Sequence, residues 1–454
     1  MSGDYSSSAK IPLSEHTTSR RLSFTISLFL TFLFRLAIGL SSPLFTASED
    51  EKQIYLIGLK FYATRNWPYF GPDVTPTIQI PGALQGLTVG LPFYLLPIPE
   101  APFVLLGLLS FASLGFFAWY CAKRFPAIPQ WLIWSWLFTA PWTLNFSTNI
   151  FNPSYVLCAA ILFFVAAIET YPFLSRRVVP LRWANVMMGF GLFWIMQLHL
   201  SWIILLPYVA LSFYFQFVSE RKTVVRNAVW FIGGALVSAS LLIPTFVKYG
   251  FAGGLGSTNE TLSFSVQHLL QHANPIEGVL GRFLSFASYE LPRFIGANTA
   301  ERLSFIRAHW WLAPLVIFLT LVGILQSMAM FFMWFRKNNG EKDWRACKYF
   351  TLGTVLLLYV SFLFSMKTPV SHTFYLTLPV AMLYSFYCWN DFLQKKVWRT
   401  FALIVIVSGI IFQTGLAVHN FEHTSLYLDR ARIQQAIIDR DFRALGERRQ
   451  GARY

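Results

Sequence analysis

Residues 44–55 read LFTASEDEKQIY, and they follow 22–43, LSFTISLFLTFLFRLAIGLSSP, in which Arg35 is the one charged residue. An uninterrupted run of that length matches the roughly 17 to 25 apolar residues a helix needs to cross a bilayer. Three carboxylates and a lysine therefore stand where a first span leaves the membrane. The composition agrees: 454 residues with 55% hydrophobic, 18% aromatic and 13% charged side chains, and a mean hydropathy of +0.50, fall outside the range of soluble globular proteins. The chain reads as an all-α polytopic integral membrane protein.

A formal charge of +15 would point to nucleic acid in a soluble protein. Here Lys and Arg cluster at the ends of apolar runs, where they act as topology markers, and no nucleic-acid partner is expected. Cys121, Cys158, Cys347 and Cys388 show no CxxC or CxxH spacing, so they indicate neither a disulfide framework nor a zinc site. Residues 1–21 are polar, and the run after them is too long for a signal-peptide core, so the first span is expected to be retained.

Runs long enough to span occur at 22–43, 101–121, 130–147, 154–171, 183–199, 201–218, 228–247, 311–335, 349–366, 373–390 and 400–418, eleven in all. The segment 82–99, GALQGLTVGLPFYLLPIP, is shorter and is interrupted by Pro92 and Pro97. Charge decides its fate, because one extra crossing inverts every later loop. Without it, Lys123/Arg124, Arg176/Arg177/Arg182, Arg221/Lys222/Arg226, the group Arg336 to Lys348 and Lys395/Lys396/Arg399 share a face with the basic 1–21 segment. The segment 82–99 is therefore expected to be an interfacial or re-entrant helix of the outer loop. The expected plan is a cytoplasmic segment 1–21, a membrane module 22–247 with an outer loop 44–100, a long outer loop 248–310, further spans over 311–418 and an outer tail 419–454. The stretches 262–287 and 425–446 have amphipathic helical patterns, the second expected on the membrane surface or against the long loop.

Polar residues other than topology charges gather on one side: SEDE at 48–51, NFSTNIFNP at 145–153, QLHLS at 197–201 and FSMKTPVSHTFY at 364–375. Carboxylate, amide, imidazole and ammonium groups converging at an interface suit group transfer. An Asp accepts the proton of an attacking hydroxyl, and Lys or His neutralises a departing phosphate.

These motifs resemble the GT-C class of polyprenyl-phosphate-sugar glycosyltransferases, near the protein O-mannosyltransferases and the bacterial aminoarabinose transferases. The likeness covers roughly 40–380. It rests on the acidic pair Asp50/Glu51 opening the first outer loop with Tyr55 after it, on YFGPDVTPTIQIPGALQGLTVGLPFYLLPIP at 69–99, on FNPSYVL at 151–157, on QLHLS, and on FSMKTPVSHTFYLTLP at 364–379. It implies a GT-C-like bundle of about eleven transmembrane helices with interfacial helices in the first loop. It further implies an inverting transfer from a lipid-linked sugar donor to a glycan, lipid or protein acceptor, at the outer face of a bacterial cell membrane. Asp50 is the implied general base, with Glu51 beside it. Lys367, His372 and Tyr375 are carried over as substrate-binding residues, followed by Pro379, and His199, Gln197, Asn152 and Arg65 are counted with them. The sequence departs from the pattern in two places. Gln79 stands where aminoarabinose transferases have an acidic metal ligand, and Asn149 and Asn152 stand where related oligosaccharyltransferases carry a second acidic motif. No metal or other cofactor is expected.

Plainer readings accompany each residue. SEDE also suits a solvated helix exit, Lys367 an interface anchor, and Gln197, His199 and His372 hydrogen bonds between spans. Arg35 is costly within a span unless it faces the bundle. A transporter or flippase of lipid-linked sugars, or a catalytically silent partner subunit, would share the architecture. A flippase, however, is expected to carry polar residues along a path through the bilayer, and here the charges gather at the ends.

Overall fold

A computed structural model describes residues 13–42, 49–73, 79–219, 221–250, 276–289, 292–296, 298–336, 342–361, 363 and 375–446. The fold is helical, with one small hairpin. The first half comprises α1 (Leu13–Leu40), α2 (Glu49–Thr64), β1 (Phe70–Asp73), β2 (Gln79–Pro81), α3 (Leu84–Gly90), α4 (Pro92–Leu95), α5 (Ala101–Arg124), α6 (Gln130–Thr139), α7 (Pro141–Asn145), α8 (Asn152–Thr170), α9 (Leu181–Met196), α10 (Leu206–Ser219), α11 (Val224–Ala239) and α12 (Ile243–Tyr249). The second half comprises α13 (Ile276–Ser285), α14 (Pro292–Ile295), α15 (Thr299–Ala308), α16 (Ala313–Met333), α17 (Lys342–Ser361), α18 (Leu378–Trp389), α19 (Lys396–His423) and α20 (Arg430–Ile438).

Seven helical stretches are long and apolar enough to cross a membrane: Ser23–Leu40, Ala101–Arg124, Asn152–Thr170, Leu200–Ser219, Arg221–Tyr249, Trp310–Met333 and Lys396–His423. The protein is thus an all-α membrane protein with seven candidate spans among the described residues, and the count of eleven expected from hydropathy is not shown. The other four expected runs are shorter or interrupted. α9 has 16 residues and α18 has 12. α17 opens with Lys342, Asp343, Arg345 and Lys348. The run 130–147 breaks between α6 and α7, where Ala140 is extended at ψ 138° ahead of Pro141. Proline has no N–H for the carbonyl of Leu137, and the bend removes the donor for Phe138. Arg35, 1% exposed, repairs the break: Nη1 donates to Phe138 O at 2.6 Å and Nη2 donates to Thr143 O at 3.2 Å and to Ser147 Oγ. Thr143 Oγ1 takes Leu137 O at 2.7 Å.

The basic connectors meet on one face. Arg124 at the end of α5 bonds Glu169 of α8 at 2.5 Å and Asp343 of α17 at 3.1 Å. The second oxygen of Glu169 accepts the Val178 N–H at 2.8 Å, and Asp343 accepts the Ser175 N–H at 2.6 Å. Lys348 Nζ donates to Arg336 O at 3.0 Å, and Arg336 pairs with Asp391 at 3.2 Å. Phe215, ahead of the 221–226 connector, packs on Phe173 at 4.9 Å.

The opposite face carries α2, the hairpin, α3, α4 and the tail. α3 and α4 have 7 and 4 residues, too few to cross a bilayer of about 30 Å. The tail packs against the first loop: Arg430 holds Glu100 at 2.6 and 3.4 Å, Gln434 donates to Pro97 O at 2.8 Å, and Arg440 lies over Tyr62 at 5.0 Å. α13 falls in the described part of the amphipathic stretch 262–287, with 251–275 outside the described residues. Val279, Phe283, Leu284, Phe286 and Ala287 are buried, Gln326 of α16 donates to Ala287 O at 3.0 Å, and Phe286 meets Trp142 at 4.7 Å. Its apolar stripe is thus inserted among the helices; burying large aromatic side chains there outweighs leaving them at an interface.

Replacing Arg35 by Met removes the guanidinium donor from the buried Phe138 carbonyl, at about 1–3 kcal/mol, while Thr143 O keeps the Ser147 hydroxyl. The melting midpoint of purified Arg35→Met in detergent is expected to fall by several degrees. Arg35→Lys should recover part of the loss, since one ammonium cannot replace a planar fork. An unchanged midpoint for Arg35→Met would show that the break holds without its clamp.

Candidate active site

α2 begins at Glu49, so its carboxylates sit at the positive end of the helix dipole, where negative charge is favoured. Successive helix positions turn by about 100°, which separates the acidic neighbours. Asp50 is exposed and lies one turn before Gln53, on the α2 face that continues through Ile57 and Lys60. Glu51 turns toward the buried face of Ile54, Tyr55 and Gly58, and is half-buried, with Oε2 unpartnered among the described residues. Burial, assisted by the adjacent Asp50 charge, raises the Glu51 carboxyl to about 7.

The Gln53 face of α2 forms one wall of a cleft whose other walls come from Trp67 to Phe70, from Lys248 and Tyr249 at the end of α12, and from Phe442, Arg443 and Gly446 of the tail. Thr245 fixes the α12 end to the loop by donating to Tyr69 O at 2.8 Å. Lys248 Nζ lies 4.4 Å from the Tyr69 ring centre and 5.4 Å from that of Tyr249. Lys60 and Arg443 approach the Phe442 ring at 5.9 and 5.7 Å. Among the described residues neither Lys248 nor Arg443 meets a carboxylate. The cleft therefore offers aromatic faces and available cations together, a combination suited to a sugar bearing a phosphate.

The other expected site residues are dispersed. Gln197 donates to Phe193 O at 3.0 Å and Ser238 O at 2.9 Å and supports Gly82, whose φ of 122° and contact with Gln197 leave no room for a side chain. His199 caps the turn Leu200–Leu205, with Nδ1 at 2.7 Å from Ser201 Oγ. Both serve local structure beside the hairpin. Asn152 opens α8, with Oδ1 buried and unpartnered among the described residues. Tyr375 is fully buried, donating to Trp142 O at 3.4 Å and packed on Phe146 at 5.1 Å. Arg65, at φ 58°, follows the far end of α2, about 22 Å along the axis from Asp50, and is not gathered with the carboxylates. Lys367 and His372 lie outside the described residues. Gln79 donates to Asp73 at 2.7 Å across a hairpin pairing Phe70 with Pro81 and Asp73 with Gln79, so its amide closes the turn. No group of three His, Cys, Asp or Glu among the described residues is placed to hold a metal ion.

The cleft cations were missed in the sequence because Lys248 looks like a marker closing a span and Arg443 like the polar side of an amphipathic tail.

No family model matches the chain, and neither does any curated protein. Among solved structures, the crystal structure of ArnT from Cupriavidus metallidurans bound to undecaprenyl phosphate is similar to it, at 14% identity and a TM-score of 0.48 over 92% of this chain and 78% of that one. The chemistry rests on this chain's own residues.

The raised Glu51 value has a stability consequence. Below the ordinary value of 4.5 the carboxyl is protonated in both folded and unfolded chains, so wild type and Glu51→Gln are expected to melt alike. Between 4.5 and about 7 the unfolded chain ionises first, and wild type loses stability relative to the variant, the gap levelling off above about 7. Melting curves that stay parallel across this range would remove the burial argument.

Proposed function

We propose that the protein is an inverting glycosyltransferase of the GT-C type that uses a polyprenyl-phosphate-linked sugar. The observation that carries this reading is the exposed carboxylate of Asp50 one helical turn from the end of a cleft lined by Lys248, Arg443 and aromatic rings. The acceptor oxygen attacks the anomeric carbon, the bond from that carbon to the phosphate oxygen breaks, and the polyprenyl phosphate leaves. Asp50 takes the acceptor's proton, since reach to the substrate is required before a matched pKa. Glu51, protonated up to about pH 7, keeps the pair from carrying two full charges and positions its neighbour. The cleft holds the donor headgroup, its sugar against Tyr69 and Tyr249 and its phosphate at Lys248 and Arg443. By the family resemblance, Lys367 and His372 also serve substrate binding. With the basic connectors cytoplasmic, the cleft faces the exterior, and the spans give the lipid-borne donor access. The acceptor is a glycan, lipid or protein reaching that face.

Asp50→Asn keeps size and hydrogen bonding but cannot take a proton. Sugar transfer from a polyprenyl-phosphate donor by the purified variant is expected to fall about 100- to 10,000-fold with an unchanged melting midpoint. Wild-type transfer by Asp50→Asn alongside a dead Glu51→Gln would move the base by one residue. Full activity in both would end the glycosyltransferase reading.

Lys248→Ala tests the cleft separately. It is expected to raise the donor KM about tenfold, with a smaller change in kcat. An unchanged KM would place the donor phosphate elsewhere.

A further inference from the structure

On the side away from the cleft, an apolar trough runs along the spans between α16, α18 and α19, with Trp136 and Tyr289 contributing to its wall. Gln326 is the one amide among its described lining residues, and that side chain is already bonded to Ala287 O. The trough ends at the basic face, where Trp389 and Trp398 line it. The Trp389 Nε1 atom is buried and has no partner among the described residues. A polar recess adjoins this end: Met333 lines both, and Arg336, Lys342, Asn390 and Asp391 line the recess. Arg336 lies over Phe392 at 6.0 Å and pairs with Asp391 at 3.2 Å, in a pair 44% and 53% exposed. An ion pair that open to solvent is weak and exchangeable. Lys395 and Lys396 are exposed directly before the trough residue Val397, and Arg399 follows on the same turn, so among the described residues cations outnumber the nearby Asp343 and Asp391.

We propose that this trough and its rim form a binding site for one acidic glycerophospholipid of the leaflet at the basic face. The acyl chains occupy the apolar length. The phosphodiester lies among Arg336, Lys342 and Lys396. The Trp389 indole donates to an ester oxygen at the boundary, the level at which amphipathic tryptophan rings sit in a bilayer. Position argues for a lipid: an open apolar channel along membrane spans is bathed in acyl chains. Charge complementarity argues for an acidic headgroup, since basic recesses between spans at such a face suit anionic lipids. The site stands independently of the chemistry on the opposite face.

The test is native mass spectrometry of the full chain released from mixed phosphatidylglycerol and phosphatidylcholine micelles, with melting midpoints measured in each lipid. One phosphatidylglycerol is expected to be retained in preference and to raise the midpoint. Arg336→Gln and Lys396→Gln should each weaken that preference about fivefold and leave phosphatidylcholine retention unchanged. Ala402→Trp, which fills the trough without touching the rim, should reduce retention of both lipids. Equal retention of the two lipids by wild type overturns the proposal, as does a preference that survives the rim substitutions. Phosphatidylglycerol retention insensitive to Ala402→Trp also overturns it, by reducing the site to surface electrostatics. Should Ala402→Trp fail to fold, Ala329→Phe fills the trough from α16 and is read in the same way.

Discussion

A bilayer supplies no water to a broken helix, so each carbonyl freed inside it needs a donor from the protein. At the break between α6 and α7 that donor is chiefly the Arg35 guanidinium, held in the first span, and much of the bundle follows from it. The bend directs Trp142 and Phe146 inward, where they seat Tyr375, Phe286 and Phe294. The inserted α13 segment therefore leans on helices whose turn the arginine stabilises. At the basic face Arg124 does the corresponding work between α5, α8 and α17, its charge matched by two carboxylates. A guanidinium is suited to both places because its planar donors serve several acceptors at once.

Segments whose chemistry is local were legible in the sequence. The basic connectors could be assigned to one face because each obeys the same charge rule, and the contacts joining Arg124, Asp343, Lys348 and Arg336 now bring them together. The 82–99 region was assigned to the first loop by charge, and its helices α3 and α4 have 7 and 4 residues. Other parts were not legible. Hydropathy treats 130–147 as one span, because averaging hides a single Pro141 and cannot reveal that a distant Arg35 makes the interruption tolerable. The amphipathic pattern of 262–287 is the same whether its apolar side meets lipid or protein, so the burial of 279–287 had no signature of its own.

The candidate site shows a finer limit of the same kind. Asp50 and Glu51 are adjacent in sequence and chemically similar, yet a turn of about 100° leaves one in solvent and the other with an oxygen sealed from it. Their difference in exposure follows from orientation alone. Gln197 and His199 looked like ligand-binding groups because they are polar residues at a helix end. The Gln197 amide nitrogen bonds backbone carbonyls and His199 Nδ1 meets Ser201, while Gln197 Oε1 is buried without a partner among the described residues. Lys248 and Arg443 became visible only when the tail folded back onto the first loop.

That folding back has a consequence for biogenesis. The cleft draws Gln53 from near the beginning of the chain and Arg443 from near its end, so its walls meet only after the intervening spans have been inserted and packed. Contacts so remote in sequence form late, since the loop they close carries the whole molecule. A nascent or truncated chain can already expose the acidic end of α2, yet it lacks the wall that would hold an anion. Closure of the cleft thus waits on the packing of every span between its walls.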